Sequence, residues 1–247
     1  MVKKYMLLYG RNSVYERLKT NPHTVRKVFV RDSFDVPHIE KALRRNRIPV
    51  ETVSAKKLES MKPARDLQGI VARVQRFEYA ALEDFTLCDE RRQRYTLIFL
   101  DRLHDPQNLG VIIRTAACFG KFAVVIPAHK ACEVTEAVLH VASGGENYVP
   151  VCKVANLSNA LLEAKKHGYW LLGGVLSGEA KKLPELSIPC PAGIVLGSEG
   201  AGVRYGVRKH LDIETCIPMQ GAALSLNVAM ACAIFCYEVA KQREMNG

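Results

Sequence analysis

The chain has 247 residues, 48% of them hydrophobic, with 35 Lys and Arg against 25 Asp and Glu for a formal net charge of +10. That length buries one large core or two modest ones, and no apolar stretch approaches the roughly 20 residues of a membrane span. Residues 1 to 8 are too short and poorly flanked for a secretory signal, so a cytoplasmic protein that meets no membrane is expected.

The surplus charge is N-terminal. Residues 1–77 hold 18 Lys and Arg against 7 Asp and Glu, whereas residues 78–247 hold 17 against 18. A basic segment joined to a nearly neutral one suggests a module that grips a polyanion, RNA or DNA, beside a module with other work; a solvated basic face is the plainer alternative. Within the basic segment, Asn12 or Ser13 is placed to cap a helix over 14–19. Strands are predicted at 25–30, 49–53 and 69–74, with helices over 37–47 and 54–61 between them. Arg44, Arg45 and Arg47 crowd one helix end, where they complement the helix dipole and are also able to meet phosphates. From Phe77 to Tyr95 the apolar period dissolves into a charged stretch, which marks a linker. The organisation is therefore a basic, polyanion-gripping segment over 1–77, a linker over 78–95 and a second domain over 96–247. A fragment starting near Glu78 is expected to hold every strand, helix and loop of that second domain.

From Thr96 the elements alternate again. Strands are predicted at 97–101, 122–126, 149–152, 169–174, 193–197 and 213–217. Helices are predicted over 108–118, 133–142, 157–167 and 225–241. This is an α/β pattern with a mostly parallel sheet covered by helices on both faces. The eight cysteines (88, 118, 132, 152, 190, 216, 232, 236) include no C-x-x-C pair, so neither a disulfide framework nor a zinc ribbon is indicated, and most read as small buried residues. Cys232 and Cys236 share a helix face without a third ligand at metal spacing, so no metal is expected.

Three glycine-punctuated segments follow apolar strands: Asp105-Pro-Gln-Asn-Leu-Gly110 leading to Arg114, Leu196-Gly-Ser-Glu-Gly-Ala-Gly202, and Ile217-Pro-Met-Gln-Gly221 running into Ser225-Leu-Asn227. Ligands of open α/β sheets bind at such carboxyl ends. Gly197, Gly200, Gly202 and Gly221 let backbone approach a flat or polar ligand closely, and Ile217, Met219, Leu224 and Leu226 offer apolar walls. The glycines form neither G-x-G-x-x-G nor a P-loop, which disfavours a dinucleotide enzyme or an NTPase. Asn108 and Arg114 are spaced to lean toward one pocket mouth, although Asn108 also suits helix capping. Arg114 interrupts the apolar run 111–117, and a guanidinium buried there needs a partner, either Glu199 in an internal salt bridge or an RNA phosphate.

These residues resemble the three signature motifs of the SpoU/TrmH group of RNA 2′-O-ribose methyltransferases, in the SPOUT superfamily: Asp105-Pro-x-Asn-Leu-Gly-x-x-x-Arg114, Leu196-Gly-Ser-Glu-Gly-x-Gly202 and Ile217-Pro-Met-x-Gly-x-x-x-Ser-Leu-Asn-Val228. Tyr9-Gly-Arg-Asn-Ser-Val14 and Gln68-Gly-Ile-Val71 are similar to the small ribosomal-protein-like domain that precedes the catalytic domain in bacterial 23S rRNA guanosine 2′-O-methyltransferases. Those proteins usually carry His before that Gln-Gly, and here it is Leu67.

The resemblance implies a ribosomal-protein-like α/β RNA-binding domain followed by an α/β methyltransferase domain with a C-terminal trefoil knot. It implies S-adenosylmethionine held by Gly197, Ile217 and Leu226, with Leu196, Met219, Gly221 and Ser225 nearby. It also implies a homodimer packed across the knot helices, in which Asn108 and Arg114 complete the partner's site. The expected reaction methylates a ribose 2′-hydroxyl, on a guanosine of 23S rRNA. A ribose hydroxyl must lose its proton as it attacks the sulfonium methyl, so positioning and charge stabilisation supply much of the catalysis. Arginine keeps its proton at ordinary pH, which makes Arg114 a donor to the developing alkoxide and the neighbouring phosphate rather than a base. Asn108, Glu199, Ser225 and Asn227 are expected to orient Arg114, the cofactor loops and the ribose. Alternatives are the same chemistry on tRNA or another rRNA site, or an inactive RNA-binding ribosome-assembly protein.

Overall fold

The computed structural model describes residues 5–87, 95–198, 202–222 and 224–245. The chain divides into two compact units. One comprises Met1–Glu78 together with Val134–Tyr148, and the other Tyr79–Glu133 together with Val149–Gly247.

The first unit is built on strands β1 (Met6–Tyr9), β2 (Val25–Arg31), β3 (Val50–Val53) and β4 (Ile70–Val74), and helices α1 (Arg11–Thr20), α2 (Pro37–Arg45) and α3 (Ala55–Met61). The sheet order is β1-β4-β2-β3, antiparallel except for the β2/β3 pair. The predicted strands and helices all form, and β1 is added to them. Neither Asn12 nor Ser13 caps α1. Gly10 holds that position at φ 88°, and the side chain of Gln68 accepts the Arg11 N–H at 2.8 Å, doing from a distant loop what a local cap would do. Ser54 does cap α3, accepting from the Lys57 amide.

Helix α4 (Glu83–Thr86) opens the second unit, inside the stretch expected to be linker. Leu82 and Phe85 are buried in the core of that unit, which turns residues 79–87 into structure; residues 88–94 lie outside those described. Then follow β5 (Thr96–Asp101), α5 (Pro106–Phe119) and β6 (Phe122–Pro127). Helix α6 (Glu136–Ala142) belongs to the first unit. The chain continues through β7 (Val151–Val154), α7 (Leu157–Lys166), β8 (Trp170–Gly174), the two-residue β9 (Lys181–Lys182) and β10 (Ala192–Gly197), and ends with α8 (Tyr205–Arg208), β11 (Ile213–Cys216) and α9 (Val228–Met245). The strand order is β7-β6-β5-β10-β8-β11-β9, and every pairing is parallel. One face of this sheet (Leu97, Phe99, Ala123, Val125, Val195) packs on α7, Leu82 and Phe85. The alternate residues Ile98, Leu100, Val124 and Ile194 point the other way, where α5 packs on β6 and α9 on β10. Strands buried on both faces read as unbroken apolar runs, which is why β5, β6 and β10 are plain in the sequence.

Residues 134–148 bind the first unit at many points. Glu136 accepts the Leu7 amide at 2.7 Å and pairs with Lys62 at 2.6 Å. The ring of His140 stacks on Tyr9 with centroids 4.1 Å apart, and its nitrogens face the Tyr9 carbonyl and Asp66. Glu146 pairs with Arg17 at 3.1 Å, and burial pushes its carboxyl above the usual range against the pull of that arginine.

Candidate active site

Strand β10 inserts between β5 and β8, so the carboxyl ends of β8, β10 and β11 converge on a cavity of about 320 Å³. Its lining includes Gly174, Leu196, Gly197, Ile217, Met219, Ser225 and Leu226. Five of the residues assigned from sequence to the cofactor, Leu196, Gly197, Ile217, Met219 and Leu226, thus surround one space, with Ser225 as the sixth. Gly221 does not line it, and Leu224, expected as a wall, is 72% exposed. Glu199 and Gly200 lie outside the described residues.

Gly197 is fixed by its own loop. A Cβ there would stand 1.9 Å from the Gly202 carbonyl carbon and 2.2 Å from the Val203 nitrogen, because Gly202, at φ 62°, folds back to donate its N–H to the Ser198 carbonyl at 3.0 Å. The obstacle to a side chain is therefore first the chain's own backbone. The fold-back is held from below by Asp101, whose side chain is fully buried at the end of β5. Asp101 accepts the Arg204 amide at 3.1 Å and its guanidinium at 2.5–3.0 Å, bonds that raise the arginine's pKa. Arg208 lines the cavity and pairs with Glu214 at 2.5 Å, holding that carboxyl below its usual range. The sequence reading missed Asp101, Arg204 and Arg208. An ionisable residue closing the apolar run Leu97-Ile-Phe-Leu-Asp101 was the available signal for the first.

Asn108 and Arg114 part company. Asp105 caps α5, its carboxylate accepting from the Gln107 amide at 2.9 Å, so Asn108 is not the cap. Asn108 is buried one turn in and accepts from the Asn227 side chain at 3.0 Å, while the other end of the Asn227 amide accepts the Ala229 N–H at 2.8 Å and caps α9. The first and third motifs are thereby tied at the starts of α5 and α9. Arg114 is exposed rather than buried. The apolar run around it turns Leu109, Ile112, Ile113 and Ala116 inward and leaves residue 114 on the outer face, with no ion-pair partner among the described residues. Neither Asn108 nor Arg114 lines the cavity.

Cys232 and Cys236 lie 3.9 Å apart and are buried, and no group of three metal-binding side chains occurs among the described residues. Burial raises the Cys152 thiol's pKa to about 12, but of the seven cysteines described only Cys152, Cys232 and Cys236 are buried, contrary to the expectation that most are core. No described helix is long and apolar enough to cross a membrane.

Comparison with known proteins gives the class. The SpoU rRNA methylase family matches residues 95–237, and the RNA 2′-O ribose methyltransferase substrate-binding domain matches residues 7–80. The chain belongs to the SpoU family of RNA 2′-O-ribose methyltransferases. It is 34% identical over 242 residues to a protein of Staphylococcus epidermidis named as a TrmH family tRNA/rRNA methyltransferase, covering 96% of each. It is 33% identical over 249 residues to the 23S rRNA (guanosine-2′-O-)-methyltransferase RlmB of Coxiella burnetii, covering 98% of each. Among solved structures, the SpoU methyltransferase AviRb of Streptomyces viridochromogenes, in complex with AdoMet, shares the fold at a TM-score of 0.81 and 22% identity, over 99% of this chain and 92% of that one. A structure concerned with 2-OH methylation of C/U34 on tRNA aligns with a TM-score of 0.53 and 26% identity over 99% of that chain but only 62% of this one.

Proposed function

We propose that the protein methylates the ribose 2′-hydroxyl of a guanosine in 23S rRNA with S-adenosylmethionine as methyl donor, acting as a homodimer. The observation that carries this reading is the single cavity formed by the second and third motifs, tied to the first by the Asn108–Asn227 bond. Its size is within the range of small-molecule sites, and its backbone edges and the apolar Leu196, Ile217 and Leu226 suit the adenosine part of such a ligand. When bound, the cofactor supplies an electrophilic sulfonium methyl.

The chain's own residues do the rest. Gly197 with Gly202 and Val203, and Ile217, Met219, Ser225 and Leu226, would hold the cofactor; Asp101 and Arg204 fix the turn back at Gly202, and Asn227 fixes the start of α9. Arg114, an exposed permanent cation on a helix of the same motif set, donates to the ribose oxygen as charge develops and to the adjacent phosphate. That phosphate or a water takes the proton. Glu199 and Ser225 complete the orientation of the ribose. The knot expected from the resemblance is supported by the placement of β10 between β5 and β8 and by Ile217, Met219, Ser225 and Leu226 lining the cavity beside Gly197 before α9 runs beside α5.

The dimer reading rests on an exposed apolar stripe of Met230, Ile234 and Tyr237 along α9, continued by Phe119 of α5, whose ring lies 6.3 Å from that of Tyr237. An rRNA target is favoured over tRNA because a tRNA-directed relative is spanned by 62% of this chain, whereas the rRNA enzyme matches end to end with the substrate-binding domain included. The test is methyl transfer from radiolabelled S-adenosylmethionine to 23S rRNA and to tRNA by purified protein, followed by mapping of 2′-O-methyl groups. Labelling of tRNA alone, or of a base rather than a ribose, would overturn the assignment.

A further inference from the structure

The first unit carries a second concavity, of about 210 Å³, with a floor of Leu58, Leu67 and Ala64 and three arginines, Arg11, Arg31 and Arg65, among its walls. It is built by an irregular loop. Gln68 and Gly69 both have positive φ, 53° and 77°, which turns the chain so that the Gln68 side chain holds the Arg11 amide and the Gly69 carbonyl accepts the Arg31 amide at 2.9 Å. The same loop aims two of the guanidinium groups. The Arg11 Nε donates to the Gln68 carbonyl at 3.3 Å while its plane lies over the Phe34 ring, 5.8 Å from the centroid. The Arg31 side chain runs along Gly69, where its Nε would be 3.9 Å from an added Cβ.

Elsewhere in this unit Arg17, Lys19, Lys27, Arg44 and Lys62 are paired with carboxylates. None of the three cavity arginines has an ion pair among the described residues, although Glu59 stands at the same rim. Three like charges around one small concavity repel one another, and an anion held between them offsets that repulsion. We propose that this concavity is a phosphate subsite for the RNA backbone, in which Arg11, Arg31 and Arg65 hold one phosphodiester or two adjacent ones. The subsite rests on the RNA-methyltransferase reading above. Leu67, buried beneath the arginines, serves as its apolar floor and makes no polar contact with the RNA.

The experiment compares the full-length protein with Arg31→Gln/Arg65→Gln and with the charge-matched Arg44→Gln/Arg45→Gln on α2, by filter binding of transcribed 23S rRNA across a salt series. Neither cavity side chain donates a hydrogen bond within the described fold, so thermal melting is expected to be unchanged. Each phosphate left without its cation lowers the slope of log affinity against log salt by about 0.7 to 0.9, so the cavity variant should give up about 0.7 to 1.8 units of slope, for one phosphate or two, and roughly tenfold or more in affinity. The α2 variant should fall by less than half as much. Arg31→Lys/Arg65→Lys should recover the slope but only part of the affinity, since lysine keeps the charge without the fork. Equal decreases in the cavity and α2 variants, or a full slope in the cavity variant, would overturn the subsite alone. A wild-type protein that methylates no RNA would overturn the functional reading, and the subsite with it.

Discussion

Arg114 shows how one side chain is misjudged when only its neighbours in sequence are seen. Val111-Ile-Ile-Arg-Thr-Ala-Ala117 reads as a buried strip that traps a cation, yet on a helix every third or fourth position faces out, and residue 114 is one of them. The exposure strengthens its assignment, because a solvated guanidinium contributes little to folding and is free to meet RNA. Arg114→Ala should therefore change stability by less than about 0.5 kcal/mol while lowering the methylation rate about 10² to 10³-fold, the usual effect of removing a donor to developing charge. Cofactor affinity, read by calorimetric titration, should stay within about twofold. Gly197→Val should do the reverse. Its Cβ would overlap the backbone at 202–203, so the fold-back must move and the cavity wall with it, at a cost of about 1–3 kcal/mol in stability. A folded Gly197→Val protein with undiminished affinity for S-adenosylmethionine would place the cofactor elsewhere.

At the scale of elements, legibility follows burial. The strands covered on both faces and the amphipathic helices were plain, whereas β1 and β9 were not: Met-Leu-Leu-Tyr has no alternation, and β9 is two residues long. Helix α4 hid because its inward-facing apolar residues, Leu82 and Phe85, are set within a charged stretch that shows no apolar period. The loop after β10 left a mark in the sequence because glycine is needed where backbone comes close, here at Gly197 against the chain at 202–203. The Asp101–Arg204 clamp left none, since its halves are 103 residues apart. The outer face of α9 presents another element-scale consequence. Met230, Ile234 and Tyr237 recur at helical spacing on the side away from the sheet, an arrangement costly to leave in water. If the proposed dimer packs through this stripe, wild-type protein should sediment as a dimer and Ile234→Asp as a monomer, with methyl transfer reduced at least tenfold, because the charge is set in the middle of the apolar stripe. A variant that remains dimeric would move the interface to another face.

At the scale of the molecule, the charge asymmetry falls on the segment that matches the substrate-binding domain but says nothing of where the units exchange chain. Residues 134–148 follow the pattern of a strand-connecting helix, and nothing in their composition ties them to the first unit. Their partners there, Leu7, Arg17, Lys62 and Tyr9, are between 70 and 135 positions away along the chain, roughly, which no local pattern reports. The consequence alters what a truncation does. A fragment beginning at Tyr79 holds the whole parallel sheet and all three motifs, but it strips Val138, Leu139 and Ala142 of their cover and leaves Glu146 without Arg17. Removing one member of a buried pair costs about 3–5 kcal/mol when the other stays buried, and here the segment would instead melt out and expose its apolar face. The 79–247 fragment should therefore aggregate or melt at least 5 °C below a second fragment in which 134–148 is replaced by a short Gly-Ser linker, by about 4–8 °C per kcal/mol for a small domain and half that for a larger one. The linker form should bind S-adenosylmethionine as the full-length protein does, while its RNA affinity and salt slope fall together with the N-terminal arginines. Differential scanning calorimetry of the two fragments decides the matter: equal melting temperatures would show that residues 134–148 do not depend on the first unit.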